Sequence, residues 1–281
     1  MKVELIRYTP DAFDLLLGTK TTRMRGKDPS EMTEEEKHDH WQYMLDTIES
    51  PFEFVDYIFN ITDVSKNFTH QLVRTRTGAY QQETSRALDV SDNDIIAPDA
   101  FEENDEFARI FNKAVRDAQD SYRQLVAAGA QLQDARAVIP SNMSTAIKAK
   151  FNLRTLSDTA KTRLCARTQG EYQEVFRAMR AAVIAVHPWT EPLLQPHCAA
   201  TGTCKFPRWG SKVIDEKPGF YDKILRDLSD GEEGHTVKTY QCPHYDERLD
   251  QTVVKRDVRI KFWSRAEIAT ANPVAKEGKS M

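Results

Sequence analysis

The sequence is poor in cysteine, has no long apolar segment and carries no excess of positive charge. Its four cysteines among 281 residues are too few and too scattered for a disulfide-stabilised secreted domain. No apolar run approaches the roughly 18 residues that a membrane-spanning helix needs, and the opening MKVELIRYTP lacks the apolar core of a signal peptide. The formal net charge is −4, whereas proteins that coat nucleic acid are usually basic. We therefore expect a cytoplasmic protein with neither a nucleic-acid nor a membrane partner.

Hydrophobic residues make up 40% of the chain and follow both strand and helix periods, which predicts an α+β protein. The clearest helical pattern covers 104–127, where apolar side chains recur every three or four positions until Gly129 ends the helix. Because the sequence becomes irregular after about residue 190, we expect one domain over 1–190 and an extension, 191–281, packed on it. The predicted strands are 3–7, 53–61, 135–140 and 145–152; the predicted helices are 64–77, 104–127 and 156–186, with a loop and a helix within 19–40.

Short polar motifs indicate where two of these helices begin. Thr62 or Asp63 is predicted to cap the helix that carries Val64, because their side-chain oxygens can accept the free amides of a first turn. Thr155 and Asp158 form a T-x-x-D capping signature, which predicts the start of the long helix near residue 156.

Fixed positive charge is concentrated in residues 71–86, QLVRTRTGAYQQETSR, where Glu83 is the one carboxylate. Further on, Arg163 and Arg167 are four positions apart and share a helix face, and Arg136 lies in a predicted strand among apolar neighbours. A buried or half-buried arginine needs an anion, and arginine binds phosphate in a bidentate manner. The residues alone therefore predict a nucleotide or a phosphate-bearing cofactor. The arginines of the first stretch are Arg74, Arg76 and Arg86.

The same stretch resembles the signature of the flavin-dependent thymidylate synthases, which reads Arg-His-Arg, a polar loop and then Ser-x-Arg-Tyr. Arg74 and Arg86 are twelve positions apart, as in the signature, and Arg76 completes the Arg-x-Arg. The segment His70-Gln71-Leu72-Val73 before it and SPFEF at 50–54 also match the family. The resemblance covers roughly residues 1–187.

A second block of spacings agrees with this family. Arg136 is followed by AVIP, and the segment Asn152-Leu-Arg154-Thr-Leu starts sixteen positions after it. Arg163 stands eleven positions beyond Asn152 and is followed by Thr168-Gln-Gly-Glu-Tyr, where the family has Ala-Gln-Trp-Glu-Ile. Several independent spacings thus carry the resemblance.

The resemblance implies a fold with a central antiparallel-rich sheet and long flanking helices, and a homotetramer whose active sites are shared between chains. It implies FAD as cofactor, NADPH as reductant and methylenetetrahydrofolate as one-carbon donor, with C5 of a pyrimidine deoxynucleotide monophosphate as acceptor and no metal. By default the enzyme converts dUMP to dTMP. Its implied catalytic residues are Arg163, Thr84 and Ser85. The implied cofactor-binding residues are Arg74, Thr75, Arg76, Gln81, Gln82, Asn152, Arg154, Asp158 and Arg167. The implied substrate-binding residues are Gln71, Gln82, Glu83, Thr84, Ser85, Arg86, Arg136 and Arg163.

The chain departs from the family signature at several positions while it keeps the arginines. Because these positions are expected to face flavin, folate or base, other reactions stay open: hydroxymethylation of C5 of dUMP, methylation or hydroxymethylation of dCMP, or nucleotide and flavin binding without turnover. The departures are Phe54, Thr75, Ala79, Gln81, Gln82, Thr84, Ala87 and Gly170.

Cysteine chemistry gives two weaker hypotheses. Cys242-Pro-His244 superficially resembles the nucleophile motif of the cysteine-dependent thymidylate synthase, but the order of the residues differs and nothing nearby indicates a reactive thiolate. A zinc site is the second hypothesis, although the spacing between the first two cysteines of the candidate set is looser than usual. Its candidate ligands are His197, Cys198, Cys204, Cys242 and His244.

Overall fold

The computed structural model describes residues 1–47, 49–98, 101, 104–165 and 168–197. The described residues divide into two compact units, the first formed by Met1–Ile6 with Ile58–Lys150 and the second by Arg7–Tyr57 with the described residues from Phe151 onward. No helix among the described residues is long and apolar enough to cross a membrane. The predicted extension over 191–281 lies almost wholly outside the described residues and stays a prediction.

A four-stranded sheet confirms the predicted α+β class with an antiparallel sheet. Its strands are β1 (Lys2–Tyr8), β2 (Asp56–Ser65), β3 (Ala79–Gln82) and β4 (Ser144–Asn152), and they lie in the order β1-β2-β4-β3. Strand β3 runs antiparallel to β4, with Ala79 opposite Lys150 and Gln82 opposite Ile147. The alternation that predicted the second strand is also confirmed, since the side chains of Phe59 and Ile61 are fully buried.

Seven α-helices and four short 3-10 helices accompany the sheet within the described residues. The predicted helix 104–127 is confirmed as α4: the side chain of Asn104 accepts the amides of Glu106 and Phe107, and Gly129 after its end has φ +95°. The α-helices are α1 (Ala12–Met24), α2 (Glu34–Thr47), α3 (Lys66–Leu72), α4 (Asp105–Ala127), α5 (Leu132–Ala135), α6 (Leu153–Arg163) and α7 (Gly170–Val186). The 3-10 helices are Pro29–Glu31, Ser50–Phe54, Arg136–Val138 and Pro188–Leu193.

The predicted strand over 135–140 is wrong. The amide of Ala135 donates to the carbonyl of Gln131 at 2.9 Å, and that of Ile139 donates to the carbonyl of Arg136 at 3.1 Å. These local bonds make helical turns and leave no ladder with another strand. A short apolar run fits either structure, so its periodicity could not decide between them.

The predicted helix over 156–186 is two helices, α6 and α7. The side-chain amide of Gln173 donates to the carbonyls of Leu164 and Cys165, and the hydroxyl of Thr168 donates to the carbonyl of Thr162. These side chains satisfy carbonyls that a continuous helix would bond with its own amides, so the chain can turn between the helices.

The predicted caps are also wrong. Asn152, and not the Thr155–Asp158 pair, caps α6 by accepting the amide of Thr155 at 2.8 Å. Strand β2 continues to Ser65, which caps α3 by accepting the amide of Phe68 at 3.0 Å. Asp63 therefore lies inside the strand, with φ +55°.

Other boundaries also differ from the predictions. Helix α3 ends at Leu72, before Gly78, and β2 begins at Asp56 because Ser50–Phe54 forms a 3-10 helix. Helix α1 was not predicted from the sequence, and α2 lies only partly within the predicted range 19–40.

The second unit has an aromatic core. Trp41 lies 5.4 Å from Trp189 and 5.5 Å from Phe13, centroid to centroid. Beside this cluster, the hydroxyl of Tyr57 and Nδ1 of His187 are 2.8 Å apart, and both side chains are buried. Edge-to-face aromatic contacts add to the energy of burial, so this cluster stabilises the core of the second unit.

Candidate active site

The first two motif arginines lie on a tight turn that follows α3. The hydroxyl of Tyr80, on β3, donates to the carbonyl of Thr75 at 2.6 Å and to that of Leu72 at 3.1 Å, so the strand fixes the turn. Arg74 and Arg76 are exposed, and neither forms a salt bridge within the described part of the chain. The turn therefore presents two fixed positive charges to solvent. An anionic ligand can form charge-assisted hydrogen bonds with both arginines.

Strand β3 leads into the polar segment 83–86. The amide of Glu83 donates to the carbonyl of Ala146 at 2.9 Å, and the Glu83 carboxylate accepts the amide of Ala146 at 3.3 Å. The one carboxylate of the motif is thus bonded to β4. Directly after it, the hydroxyl of Thr84 accepts the amide of Arg86 at 3.1 Å, which turns the chain and directs Ser85 inward.

Two cations meet at the buried hydroxyl of Ser85. Arg136 donates to it through a terminal guanidinium nitrogen at 3.0 Å, and Lys66 donates to it through Nζ at 2.5 Å. Partial burial lowers the pKa of Lys66, and the charge of Arg136 lowers it further. We call Lys66, Ser85 and Arg136 the cation cluster. Residues 51 positions apart in the sequence therefore lie together.

The third cation of this region is held beside the cluster. Arg86 donates from Nε to the side-chain oxygen of Gln133 at 3.1 Å, and Arg136 donates from Nε to the main-chain carbonyl of Gln133 at 3.1 Å. One residue of α5 thus orients both arginines. Arg136 is exposed and lies on a helical turn, which corrects its predicted place in a buried strand.

A small cavity of about 200 Å³ opens next to the cation cluster. Its polar lining includes Lys66 and Ser85 from the cluster and also the carboxylates of Glu83 and Asp89. The other lining residues are Thr84, Leu88, Val90, Asn93, Met143, Ser144 and Thr145. The ammonium of Lys66 and the hydroxyl and amide groups of this lining can donate hydrogen bonds to a small anion.

In the second unit, Arg163 at the end of α6 lies over the ring of Tyr172. Its guanidinium carbon is 4.3 Å from the ring centroid, and Tyr172 is fully buried. The ring face attracts the guanidinium and limits its rotamers. Arg163 is half-buried, so its charge acts in a medium less screened than bulk water.

The other predicted cofactor residues of this unit lie on the first turns of α6. Asn152 uses its side-chain oxygen to cap the helix, which leaves its amide group for other partners. Arg154 pairs with Glu53 at 2.5 Å, and Asp158 pairs with Lys161 at 2.8 Å, both pairs being solvent-exposed. Exposed ion pairs contribute little to stability, so these charges can be redirected to a ligand at small cost.

A larger groove of about 670 Å³ lies in the second unit between α1, α2 and the 3-10 helix before β2. Phe54, where the family signature carries a histidine, lines this groove and is 60% exposed. Lys20 and Tyr43 also line it, with the Lys20 ammonium 4.2 Å from the centre of the tyrosine ring. The departure at Phe54 is therefore on an accessible surface of the molecule.

Some sequence hypotheses fall outside the described residues. Arg167 and four of the five zinc candidates are among them, His197 being the exception. Within the described part of the chain, no group of three His, Cys, Asp or Glu side chains is placed to hold a metal ion.

Comparisons with known proteins agree with the motif spacings. Residues 4–189 match the model of the family described as thymidylate synthase complementing protein. The flavin-dependent thymidylate synthase of Saccharolobus solfataricus is 30% identical over 214 residues, which cover 70% of this chain and 78% of that protein. That of Sulfurisphaera tokodaii is 31% identical over 213 residues, 70% and 79% of the two chains. That of Clostridium tetani is 28% identical over 225 residues, 73% and 90% of the two chains.

Proposed function

The chain belongs to the thymidylate synthase complementing protein family, the flavin-dependent thymidylate synthases, and from this premise we propose that it methylates C5 of dUMP. The one-carbon donor would be methylenetetrahydrofolate and the reductant NADPH. The single observation that carries the proposal is the cation cluster. Lys66 and Arg136 converge on one neutral hydroxyl and neither has a salt bridge within the described part of the chain. A nucleotide phosphate would balance these charges.

The proposed roles of the first unit follow from these positions. Arg136, with Arg86 beside it on Gln133, binds the phosphate. Ser85 offers its hydroxyl proton to a phosphate oxygen, because its oxygen already accepts from two cations. Thr84 and Glu83 hold the loop, and Gln71 and Gln82 offer amide groups to the base edge. This segment thus binds and orients the nucleotide while the protein supplies no nucleophile.

The residues present fit FAD in their donor chemistry. Arg74 and Arg76 are exposed cations without ion-pair partners in the described chain, which suits a diphosphate. When bound, the flavin supplies hydride chemistry that amino-acid side chains lack. Asn152, Arg154 and Asp158 are the proposed further contacts, with Thr75, Gln81 and Arg167 completing the set.

Arg163 is the proposed electrostatic catalyst. The buried ring of Tyr172 lies against its guanidinium and limits the rotamers it can adopt. A fixed positive charge near the pyrimidine favours the anionic form of the ring and makes C5 more nucleophilic. Stabilisation of charge that develops in the transition state often contributes more to catalysis than any other single effect.

We propose a homotetramer because α4 has an apolar stripe that the described part of the chain covers only in part. Tyr122 is buried in the first unit, whereas Phe107, Ile110 and Leu125 are each more than a third exposed. A contiguous exposed apolar surface favours association, and a second copy of the chain is the partner that the family resemblance implies. Light scattering should give about four times 32.2 kDa; a stable, active monomer would contradict shared active sites.

The reaction is tested with purified protein, FAD, NADPH and methylenetetrahydrofolate. The protein should bind FAD and convert dUMP to a product heavier by one methyl group in mass spectrometry. A hydroxymethyl product, or reaction with dCMP alone, would favour the alternatives raised by Thr75, Phe54 and Ala87. Protein that binds FAD and nucleotide without forming either product would be a binding protein, and protein that binds no FAD would contradict the proposal.

A further inference from the structure

We propose that Lys66 is a third phosphate-binding residue of the nucleotide site, acting beside Arg136 and Arg86. No residue of the recognised signature predicts it, since Lys66 lies five positions before Gln71 and outside the Arg-x-Arg motif. The proposal rests on the proposed function, because it names the nucleotide monophosphate as the ligand. It starts from the contact of Nζ with the Ser85 hydroxyl at 2.5 Å.

The backbone of Lys66 is fixed from both sides. Its amide donates to the carbonyl of Met143 at 3.0 Å, and Ser65 before it caps α3 by accepting the amide of Phe68. The side chain is half-buried, so its stem is held while the ammonium reaches Ser85. A lysine with a fixed backbone and a restrained stem loses less conformational entropy on binding than a free surface lysine.

The charges around Lys66 call for an anion. Its neighbour on the Ser85 hydroxyl is another cation, Arg136, and the nearest compensating carboxylate is Glu83. That carboxylate accepts the amide of Ala146 and forms no salt bridge with Lys66 in the described chain. Two like charges on one neutral oxygen are unfavourable in a partly buried place, and a phosphate dianion reverses the sign of this interaction.

The adjoining cavity has a suitable size. Its 200 Å³ correspond to about seven water molecules at roughly 30 Å³ each, which is room for a phosphoryl group with part of its hydration. Lys66, Thr84 and Ser85 line one region of it, so an ammonium and two hydroxyls can donate to the phosphate oxygens together. The carboxylates of Glu83 and Asp89 also line the cavity and disfavour an anion close to them. The phosphate is therefore proposed to lie against the ammonium of Lys66, where the positive charge is.

The test compares Lys66→Met, Lys66→Arg and wild type in equilibrium titrations with dUMP and, separately, with inorganic phosphate. Lys66→Met keeps the stem and removes the charge. Its Kd for dUMP should rise about ten- to a hundredfold, as expected for one charge-assisted hydrogen bond, and Lys66→Arg should recover most of the affinity. Lys113→Met removes an exposed lysine of α4 and is the matched control, for which no change is expected.

The outcomes separate this inference from the proposed function. If Lys66→Met binds dUMP as wild type does, the inference fails while the function stands. If wild type binds inorganic phosphate through Lys66 but does not bind dUMP, the anion site stands and the nucleotide assignment fails. If wild type binds neither, both fail. Should Lys66→Met not fold, Lys66→Gln serves in its place, and folding is checked by circular dichroism.

Discussion

Arg163 and Tyr172 offer the sharpest test of how the second unit contributes to catalysis. Removing the guanidinium with Arg163→Ala should slow the chemical step about 10²–10³-fold, the usual size for loss of one preorganised charge-stabilising donor. The ring below it should matter less. A cation–π contact is worth about 0.5–1 kcal/mol when exposed and about 2 kcal/mol when desolvated, and here the ring is fully buried and the arginine half-buried.

An effect of about 1–2 kcal/mol corresponds to a five- to thirtyfold loss at roughly 1.36 kcal/mol per tenfold. We therefore expect Tyr172→Leu to slow the chemical step by this factor, because the guanidinium then samples other rotamers. Tyr172→Phe keeps the ring face and should stay within about threefold of wild type. The assay is a single-turnover reaction of enzyme with reduced flavin, followed through flavin absorbance and expressed per bound flavin.

The double variant decides whether the ring acts through the arginine. If it does, Tyr172→Leu should have no effect on the rate when residue 163 is already alanine. The double variant should then react at the rate of Arg163→Ala alone. Tyr172→Leu also removes a buried ring and will lower stability, but a rate per bound flavin is insensitive to the folded fraction. Additive losses in the double variant would refute the positioning role.

Three further expectations concern other parts of the described chain. Arg154→Met should weaken FAD binding about tenfold or more. Glu53→Gln breaks the same exposed ion pair but keeps the cation, so it should leave FAD binding unchanged. Equal losses of affinity in the two variants would count against Arg154 as a ligand of FAD. Burial lowers the pKa of His187, so as the pH falls the unfolded chain binds a proton at this histidine before the folded chain does. Stability should therefore fall as the pH drops below about 6.5. His187→Gln should flatten this dependence of the melting temperature on pH in thermal unfolding, and an unchanged dependence would contradict the prediction. Gly129 has φ +95° and open space where the Cβ of another residue would lie, so Gly129→Ala should lower the free energy of unfolding in urea by about 1–2 kcal/mol through backbone strain alone. Gly18→Ala, inside α1, should raise it by about 0.5–1 kcal/mol. A loss of stability in both variants would point to packing and not to backbone strain.

Sequence periodicity predicted the parts of the fold in which one face is buried along a whole element. Phe59, Ile61, Ile147 and Phe151 are all buried on the strands where alternation placed them. Periodicity failed where a tertiary contact overrides it. The break between α6 and α7 depends on Gln173, whose amide reaches two carbonyls of the preceding turn. No local pattern in the sequence predicts such a bond, since glutamine is compatible with a continuous helix.

The sequence likewise predicted some residues of the candidate site and missed another. The family resemblance singled out Arg86 and Arg136 as nucleotide-binding residues, and the structure brings both to Gln133. Lys66 was missed because a lysine after a serine cap looks like any surface lysine. Its position becomes informative only when β4 and the segment 83–86 are folded against α3. The signal that could have identified it is a basic residue directly after a serine, one helix before a phosphate-binding motif.

The cation cluster has a consequence for the stability of the protein without substrate. Lys66 and Arg136 repel each other across Ser85, and partial burial adds to the cost by weakening hydration of the ammonium. Apolar groups of similar shape at such positions are often more stable, so stability does not explain why the chain concentrates cations there. An anion that binds only the folded state stabilises it by about 2.7 kcal/mol at a hundred times its Kd. In the proposed site, a bound phosphate would offset the repulsion within the cluster, which is why we propose a role for these residues in ligand binding and not in the fold.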